Sequence, residues 1–350
     1  MATDPGIAPA TIRAYVLERP GPAGLSLVER RLPAPAAGQV MVRMRAASLN
    51  FRDVKIFRGS YQLPVHLPLV PLSDGAGEIV AVGDGVEGLR VGDRVVCLYW
   101  EGWRSGAQLE DGDGISDRPA RGRTKSAEVD GVALERAVYD ACDVLPIPDE
   151  MSYEAAACLP CAGVTAWNAL IGVTSGDTVL VMGSGGVSLF ALQIARARGA
   201  RVIATSRDEG KRLRLQELGA SETVNTSAEP EWGRRVRELT GDGVDLAVDV
   251  IGDATVEQTL AATRDGGRIS AVGNLSGSFI SGTLLERGIT ARPVVVGSRR
   301  MTEELIDAMG SGGIRAVIDR SFAFGELPEA LDYLASGDQF GKVLLRFDEE

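Results

Sequence analysis

The sequence predicts an α/β protein of two domains: a β-rich, turn-rich first third, then a doubly wound parallel sheet. Two observations carry this. Before about residue 146, short apolar runs bounded by Gly and Asp recur as strands between turns. From Asp177 onward the pattern is strand, glycine turn, helix, strand, which implies a parallel sheet covered on both faces. The length of 350 residues suits two domains with sizeable cores. The expected boundaries are 1–150 and 151–297, with 298–350 returning to the first domain.

In chain order, Val40-Met-Val-Arg-Met-Arg-Ala alternates apolar and basic residues like a half-buried strand. Gly75-Ala-Gly-Glu-Ile-Val-Ala-Val-Gly and Gly92-Asp-Arg-Val-Val-Cys-Leu are two more strands. Residues 104–130 are polar and glycine-containing and read as a long surface loop. Ser152 is a helix cap. Thr178-Val-Leu-Val-Met is a continuous apolar strand, Leu189 to Arg198 a helix, and Arg201-Val-Ile-Ala-Thr the next strand. Strands follow at Val244 to Val250 and Gly267 to Gly273. The tail reads as helix (Met301 to Met309), strand (Ala316 to Phe322), helix (Leu327 to Ala335) and strand (Val343 to Phe347).

Composition narrows the function. A net charge of −11 opposes nucleic-acid binding, because phosphate contacts need a basic footprint. It equally disfavours an anionic membrane surface. No apolar run is long enough to span a bilayer, and the first residues lack a signal-peptide pattern. Four cysteines in so long a chain are not a disulfide framework, so a cytoplasmic location is expected. A single histidine excludes a His-rich metal cage. The forty-three glycines suggest tight turns and close backbone approaches.

The clearest motif is Gly183-Ser184-Gly185-Gly186-Val187-Ser188, which follows a strand and opens a helix, as a dinucleotide fingerprint must. Gly183 allows the tight turn, and Gly185 lets the backbone approach a pyrophosphate held at the helix N-terminus. Ser188 stands where the pattern has its third glycine. The next strand ends Ala204-Thr205-Ser206-Arg207, with no acid at the tip to take a ribose 2′-hydroxyl. Ser206, Arg207 and Lys211 suit a 2′-phosphate, so NADPH is the expected cofactor. The competing reading makes Arg207 and Lys211 solvated charges at a helix start.

These features, with Ala46-Ala-Ser-Leu-Asn-Phe-Arg-Asp53, Pro71-Leu-Ser-Asp-Gly-Ala-Gly-Glu, Val91-Gly-Asp-Arg-Val, Leu159-Pro-Cys-Ala-Gly-Val-Thr-Ala-Trp, Gly266-Gly-Arg-Ile and Phe340-Gly-Lys-Val, resemble the medium-chain dehydrogenase/reductase superfamily. The resemblance is nearest to its zinc-independent, quinone-oxidoreductase-like branch and covers nearly the whole chain. It implies a GroES-like β-domain joined to a Rossmann domain, an active site in the cleft, and a homodimer. It also implies cofactor contacts at Thr165, Gly273, Asn274, Val296, Gly297, Ser298 and Lys342. Thr226 stands where similar quinone reductases use a Tyr over the 2′-phosphate.

Zinc-dependent relatives place Cys, His and Cys around a catalytic metal, and the matching slots here hold Asn50, Ser73 and Cys161, with Asp74 beside Ser73. One thiolate among neutral oxygens is a poor zinc site. The loop that carries a structural zinc in relatives has only Cys97 here, so no metal is expected. Cys158-Leu-Pro-Cys161 has redox-like spacing but reads as two buried cysteines. Without a metal, conjugate reduction is easier than direct carbonyl reduction, because the enolate oxygen needs only one or two hydrogen-bond donors. Tyr61 is the candidate donor, at a spacing from Asn50 that similar enoyl-thioester reductases share, although it also reads as a packed loop aromatic beside Pro64. Asn50 is a nicotinamide or carbonyl contact, Arg52 a substrate holder, and Asp53 a turn anchor. His66 reads as a loop residue.

The resulting expectation is an NADPH-dependent, zinc-free reductase of α,β-unsaturated carbonyls or quinones. The alternatives are an NADP(H)-dependent alcohol dehydrogenase or ketone reductase, and an NADPH-binding protein without turnover.

Overall fold

The computed structural model describes residues 10–106, 123–273 and 279–348. The chain divides into two compact units. The first takes Met1–Cys161, Ser298–Ile306 and Ile318–Glu350, and the second Ala162–Gly297 and Asp307–Val317.

In chain order the elements are β1 (Ala10–Leu17), β2 (Leu25–Leu32), β3 (Gln39–Leu49), α1 (Phe51–Phe57), β4 (Asp74–Val82), β5 (Arg94–Cys97), β6 (Arg136–Asp140), β7 (Val144–Pro146) and α2 (Tyr153–Ala157). There follow α3 (Val164–Ala169), β8 (Thr178–Met182), α4 (Gly186–Ala197), β9 (Arg201–Ser206), α5 (Glu209–Glu217), β10 (Glu222–Asn225), α6 (Trp232–Thr240), β11 (Val244–Asp249) and α7 (Val256–Ala262). The last are β12 (Thr263–Ala271), α8 (Phe279–Arg287), β13 (Thr290–Pro293), α9 (Arg299–Gly310), β14 (Ile318–Ala323), α10 (Leu327–Ser336) and β15 (Lys342–Arg346). Among the described residues no helix is long and apolar enough to cross a membrane.

The first unit is built on a sheet of order β14-β15-β3-β4-β5-β7, with β6 also on β3. Its long central strand β3 is where the alternation predicted for residues 40–46 matters. Val42 and Met44 enter the core, while Arg43 and Arg45 both meet Glu78 on β4 at 3.2 Å. The tail returns to this sheet, with β15 pairing antiparallel to β3 so that Val343 faces Leu49. That register carries Lys342 to the end of β3, where Asn50 begins α1.

The second unit has a sheet of order β10-β9-β8-β11-β12-β13, parallel throughout. This is the doubly wound dinucleotide order, with ligands expected at the carboxyl ends of the strands. Helix α4 buries Leu189, Phe190, Leu192 and Ile194, each worth roughly 1.5–3 kcal/mol when fully removed from water. The predicted α/β class with a GroES-like β-domain and a Rossmann sheet is therefore the fold observed.

One sequence expectation fails. The surface loop read over 104–130 does not hold at its end. Thr124 and Lys125 form β-bridges with Trp100 and Val129, and Lys125 is completely buried. The polar composition of the segment concealed this. Residues 107–122 lie outside the described residues.

Candidate functional site

The glycine-turn edge of the second unit is mostly backbone. Gly183 follows β8 with φ +74°, a conformation glycine adopts without strain. A Cβ on Gly185 would meet nothing within 4 Å, so the backbone face there is open. Gly186 starts the twelve-residue α4, whose first N–H groups lack intrahelical partners, and Ser184 and Val187 flank them, both partly exposed. Ser188 replaces the third glycine without loosening the packing. It is buried, and its Oγ donates to Met182 O at 2.6 Å.

At the end of β9, the Ser206 Oγ lies 3.1 Å from Asp208 O and 3.2 Å from Asp208 N. Asp208 itself caps α5, accepting from Lys211 N at 2.7 Å. Of the two acids close behind the strand tip, Asp208 is thus tied to a helix end and Glu209 pairs with Arg212, while Arg207 is exposed beside them. Gly273 follows β12, and a Cβ there would sit 2.4 Å from Ile251 C, so only glycine fits. Val296 is buried at φ +60°, which for a β-branched residue costs about 1–3 kcal/mol. Asn168 holds it, donating from Nδ2 to Val296 O at 2.7 Å while Arg292 Nη1 donates to Asn168 Oδ1 at 2.9 Å. Thr165 is buried in α3. Ser298 and Lys342 belong to the first unit, and Asn274 lies outside the described residues.

Asp249 was missed by sequence reasoning. It ends β11 fully buried and accepts from Ile251 N, Gly252 N and Thr259 Oγ1 at 2.9, 2.8 and 2.7 Å. It shapes the turn against which Gly273 packs. An acid closing the apolar run Leu246-Ala-Val248 is the signal that could have found it.

The first unit holds a side-chain network instead. Lys342 is buried, and its Nζ donates to Leu49 O at 2.7 Å and Asn50 Oδ1 at 2.6 Å, with Asp74 Oδ2 at 4.0 Å. An ammonium has donors only, so it fixes which end of the Asn50 amide it meets. The amide nitrogen is thereby turned toward Ser73 Oγ, at 3.4 Å. Ser73 Oγ donates to Asp74 Oδ1 at 2.7 Å, and Asp74 Oδ2 accepts from Cys161 N at 3.1 Å. The slots 50, 73 and 161 therefore converge, together with Lys342. Burial raises the Asp74 carboxyl above its ordinary range, opposed by Lys342 and by hydrogen bonds from Asn50, Ser73 and the Cys161 N–H. Burial also pushes the Cys161 thiol far up, Asp74 adding to the effect. Cys158 is pushed up to about 12 by burial, which leaves it a poor thiolate for redox chemistry.

Asp53 anchors the start of α1, its Oδ2 accepting from Asn50 N at 2.7 Å. Burial pushes its carboxyl up to about 6, against the pull of Arg52 and the Asn50 N–H. Arg52 lies over the ring of Tyr61 at 5.1 Å and of Tyr99 at 5.0 Å. Its Nη1 donates to Lys125 O at 2.9 Å and its Nη2 to Ser126 O at 3.4 Å. Tyr99 and the 125–126 turn were not singled out by sequence, since aromatic and polar loop residues carry no periodic signal. His66 is exposed, its N–H donating to Ala127 O at 2.7 Å.

A Rossmann unit with an open glycine turn and a GroES-like unit with a buried polar centre define the class: an oxidoreductase with an NAD(P)-binding domain. Residues 36–149 match the alcohol dehydrogenase GroES-like domain family, and residues 186–337 the zinc-binding dehydrogenase family. A zinc-type alcohol dehydrogenase-like protein of Schizosaccharomyces pombe is 38% identical over 89% of this chain and 91% of its own. An acryloyl-coenzyme A reductase of Metallosphaera sedula is 29% identical over 92% of this chain and 96% of its own. A solved NAD-dependent alcohol dehydrogenase superposes with TM-score 0.86 at 34% identity, over 95% of this chain and 99% of that one. The chain belongs to the medium-chain dehydrogenase/reductase superfamily.

Proposed function

We propose that the protein is a zinc-free, NADPH-dependent reductase of α,β-unsaturated carbonyl compounds or quinones, the branch of the superfamily that the sequence resembles. The observation that carries this is the Lys342–Asn50 contact of 2.6 Å. It occupies the Asn50 amide oxygen, and Ser73 Oγ is engaged with Asp74. These donors do not fit a zinc ion, which requires anionic or imidazole ligands with free lone pairs. Among the described residues no three His, Cys, Asp or Glu side chains are arranged to hold a metal either.

The nucleotide fits the second unit. The Gly183–Val187 turn and the α4 N-terminus suit a pyrophosphate, Thr165, Gly273 and Val296 the nicotinamide end, and Ser206, Arg207 and Lys211 a 2′-phosphate. Bound NADPH would supply a hydride. In the first unit, Tyr61 Oη and Asn50 Nδ2 donate hydrogen bonds to the oxygen that gains charge when the β-carbon is reduced. Protonation at the α-carbon then completes the reaction. The name of the Metallosphaera sedula relative supports an enoyl acceptor.

A second reading, reduction of a simple ketone or aldehyde, is favoured by the names of the alcohol dehydrogenase relatives. NADPH oxidation by metal-analysed protein, with matched enones, quinones and saturated ketones, tests both. Turnover of enones or quinones with sub-stoichiometric zinc is expected. Turnover of ketones alone supports the second reading, and stoichiometric zinc overturns the metal-free claim. Tight NADPH binding without turnover of any acceptor leaves a binding protein.

A further inference from the structure

We propose that Arg52 is a positioning residue that acts through Tyr61, clamping its ring against Tyr99 and the 125–126 turn. This rests on the reading of Tyr61 as an oxygen donor. A guanidinium offers two faces and a fork of in-plane donors. Here the ring of Tyr61 lies 5.1 Å and that of Tyr99 5.0 Å from Arg52 Cζ, and the fork reaches the carbonyls of Lys125 and Ser126. The Arg52 side chain is only 10% exposed. Both terminal nitrogens are therefore engaged inside the protein, and Nε is buried without a hydrogen-bond partner, so the guanidinium is held by the protein rather than presented to solvent.

Tyr61 needs such a hold. It lies between α1 and β4, in a stretch outside any helix or strand, and it is only half-buried. The same stretch is tied to the 125–129 turn by His66 N, which donates to Ala127 O at 2.7 Å. That turn contains Ser126 at φ +58°, an unfavourable conformation for a residue with a side chain. The carbonyl of this residue accepts from Arg52. Tyr99, in turn, is buried and packs edge-on against Trp100 at 5.7 Å, so the far side of the clamp is rigid. One permanent cation thus touches residues 61, 99, 125 and 126, and Tyr61 is the half-buried member among them. Lysine is a poor replacement for Arg52, because a point ammonium lacks the planar, delocalised fork that meets both carbonyls and both rings at once.

A double-mutant cycle of Arg52→Lys and Tyr61→Phe tests this. Arg52→Lys is expected to lower kcat about tenfold with KM within about twofold, and to have no further effect once Tyr61→Phe is present. A rise in KM at constant kcat, or a loss that persists in Tyr61→Phe, would make Arg52 a direct substrate ligand and overturn the proposal. A second arm needs no turnover: ¹⁹F NMR of the protein carrying 3-fluorotyrosine at position 61. The clamped ring should give resolved lines for its two orientations, merging in Arg52→Lys and in Tyr99→Leu. Tyr99→Leu keeps the Arg52 hydrogen bonds, so it serves if Arg52→Lys does not fold. Unchanged lines in the folded variants refute the clamp. Merged lines in a protein that reduces no acceptor uphold the clamp and refute the functional reading alone.

Discussion

The glycine-turn edge of the Rossmann unit is made of backbone, whereas the polar centre beside β3 is made of side chains. At the edge, Gly183, Gly185 and Gly273 matter for what they lack, and the helix α4 N-terminus supplies N–H groups that any sequence could offer. At the centre, Lys342, Asn50, Ser73 and Asp74 matter for their identity, because each hydrogen bond fixes the direction of the next. A backbone site tolerates change in its neighbours but not an added Cβ. A side-chain network tolerates no change of donor to acceptor. The two regions should therefore fail in different ways.

The largest effect is expected at the network. Asn50→Asp keeps an acceptor for Lys342 but removes the amide N–H groups. The expected fall in kcat/KM is about 10²–10³-fold, as for other single oxyanion donors, with NADPH affinity within about twofold. Steady-state kinetics and cofactor titration measure both. Equal loss of cofactor binding would place Asn50 at the nicotinamide instead.

Asp53→Asn probes the ionic strain of the same unit. The Asp53 carboxyl is raised to about 6 in the folded protein, above its ordinary unfolded value. Folding is therefore favoured by this group at low pH, and that advantage is lost as pH rises from about 4 through about 6. The neutral amide still accepts from Asn50 N. It should raise stability at pH 7 by about 2–3 kcal/mol and leave it little changed at pH 4, as measured by urea unfolding at both. Lower stability at pH 7 would mean that the pairing with Arg52 outweighs burial.

The edge should respond oppositely. Gly185→Ala meets no atom within 4 Å, so thermal stability should hold. An added methyl under a pyrophosphate should weaken NADPH by about 1–2 kcal/mol, roughly five- to thirtyfold by calorimetry. Equal affinity would show that the pyrophosphate does not approach this turn. Smallest of all, under the proposed 2′-phosphate contact, Arg207→Ala should weaken NADPH by about 1 kcal/mol and leave NADH unchanged. Parallel loss for both nucleotides would contradict the assignment.

The same contrast explains what the sequence disclosed. The glycine turn, the strand before it and the helix after it are local, so their spacing was legible, and so was the fold class. The end of β9 was legible for the same reason, down to Ser206 and Arg207. The contact between Lys342 and Asn50 joins residues 292 apart, and no local pattern announces it. Arg52 and Tyr61 were visible as residue types, but their relation to Tyr99 and the 125–126 turn depends on tertiary packing. Lys125 was hidden most completely: a lysine in a polar stretch reads as solvated, yet it is fully buried, its ammonium 4.8 Å from the Tyr139 ring.

Conjugate reduction and carbonyl reduction differ in where the hydride lands. NADPH deuterated at nicotinamide C4, with a short-chain enone as acceptor, tests it by mass spectrometry and NMR of the product. The expected product is the saturated carbonyl compound with deuterium on its β-carbon. Deuterium on the carbinol carbon of an allylic alcohol would contradict conjugate reduction and leave a carbonyl reductase.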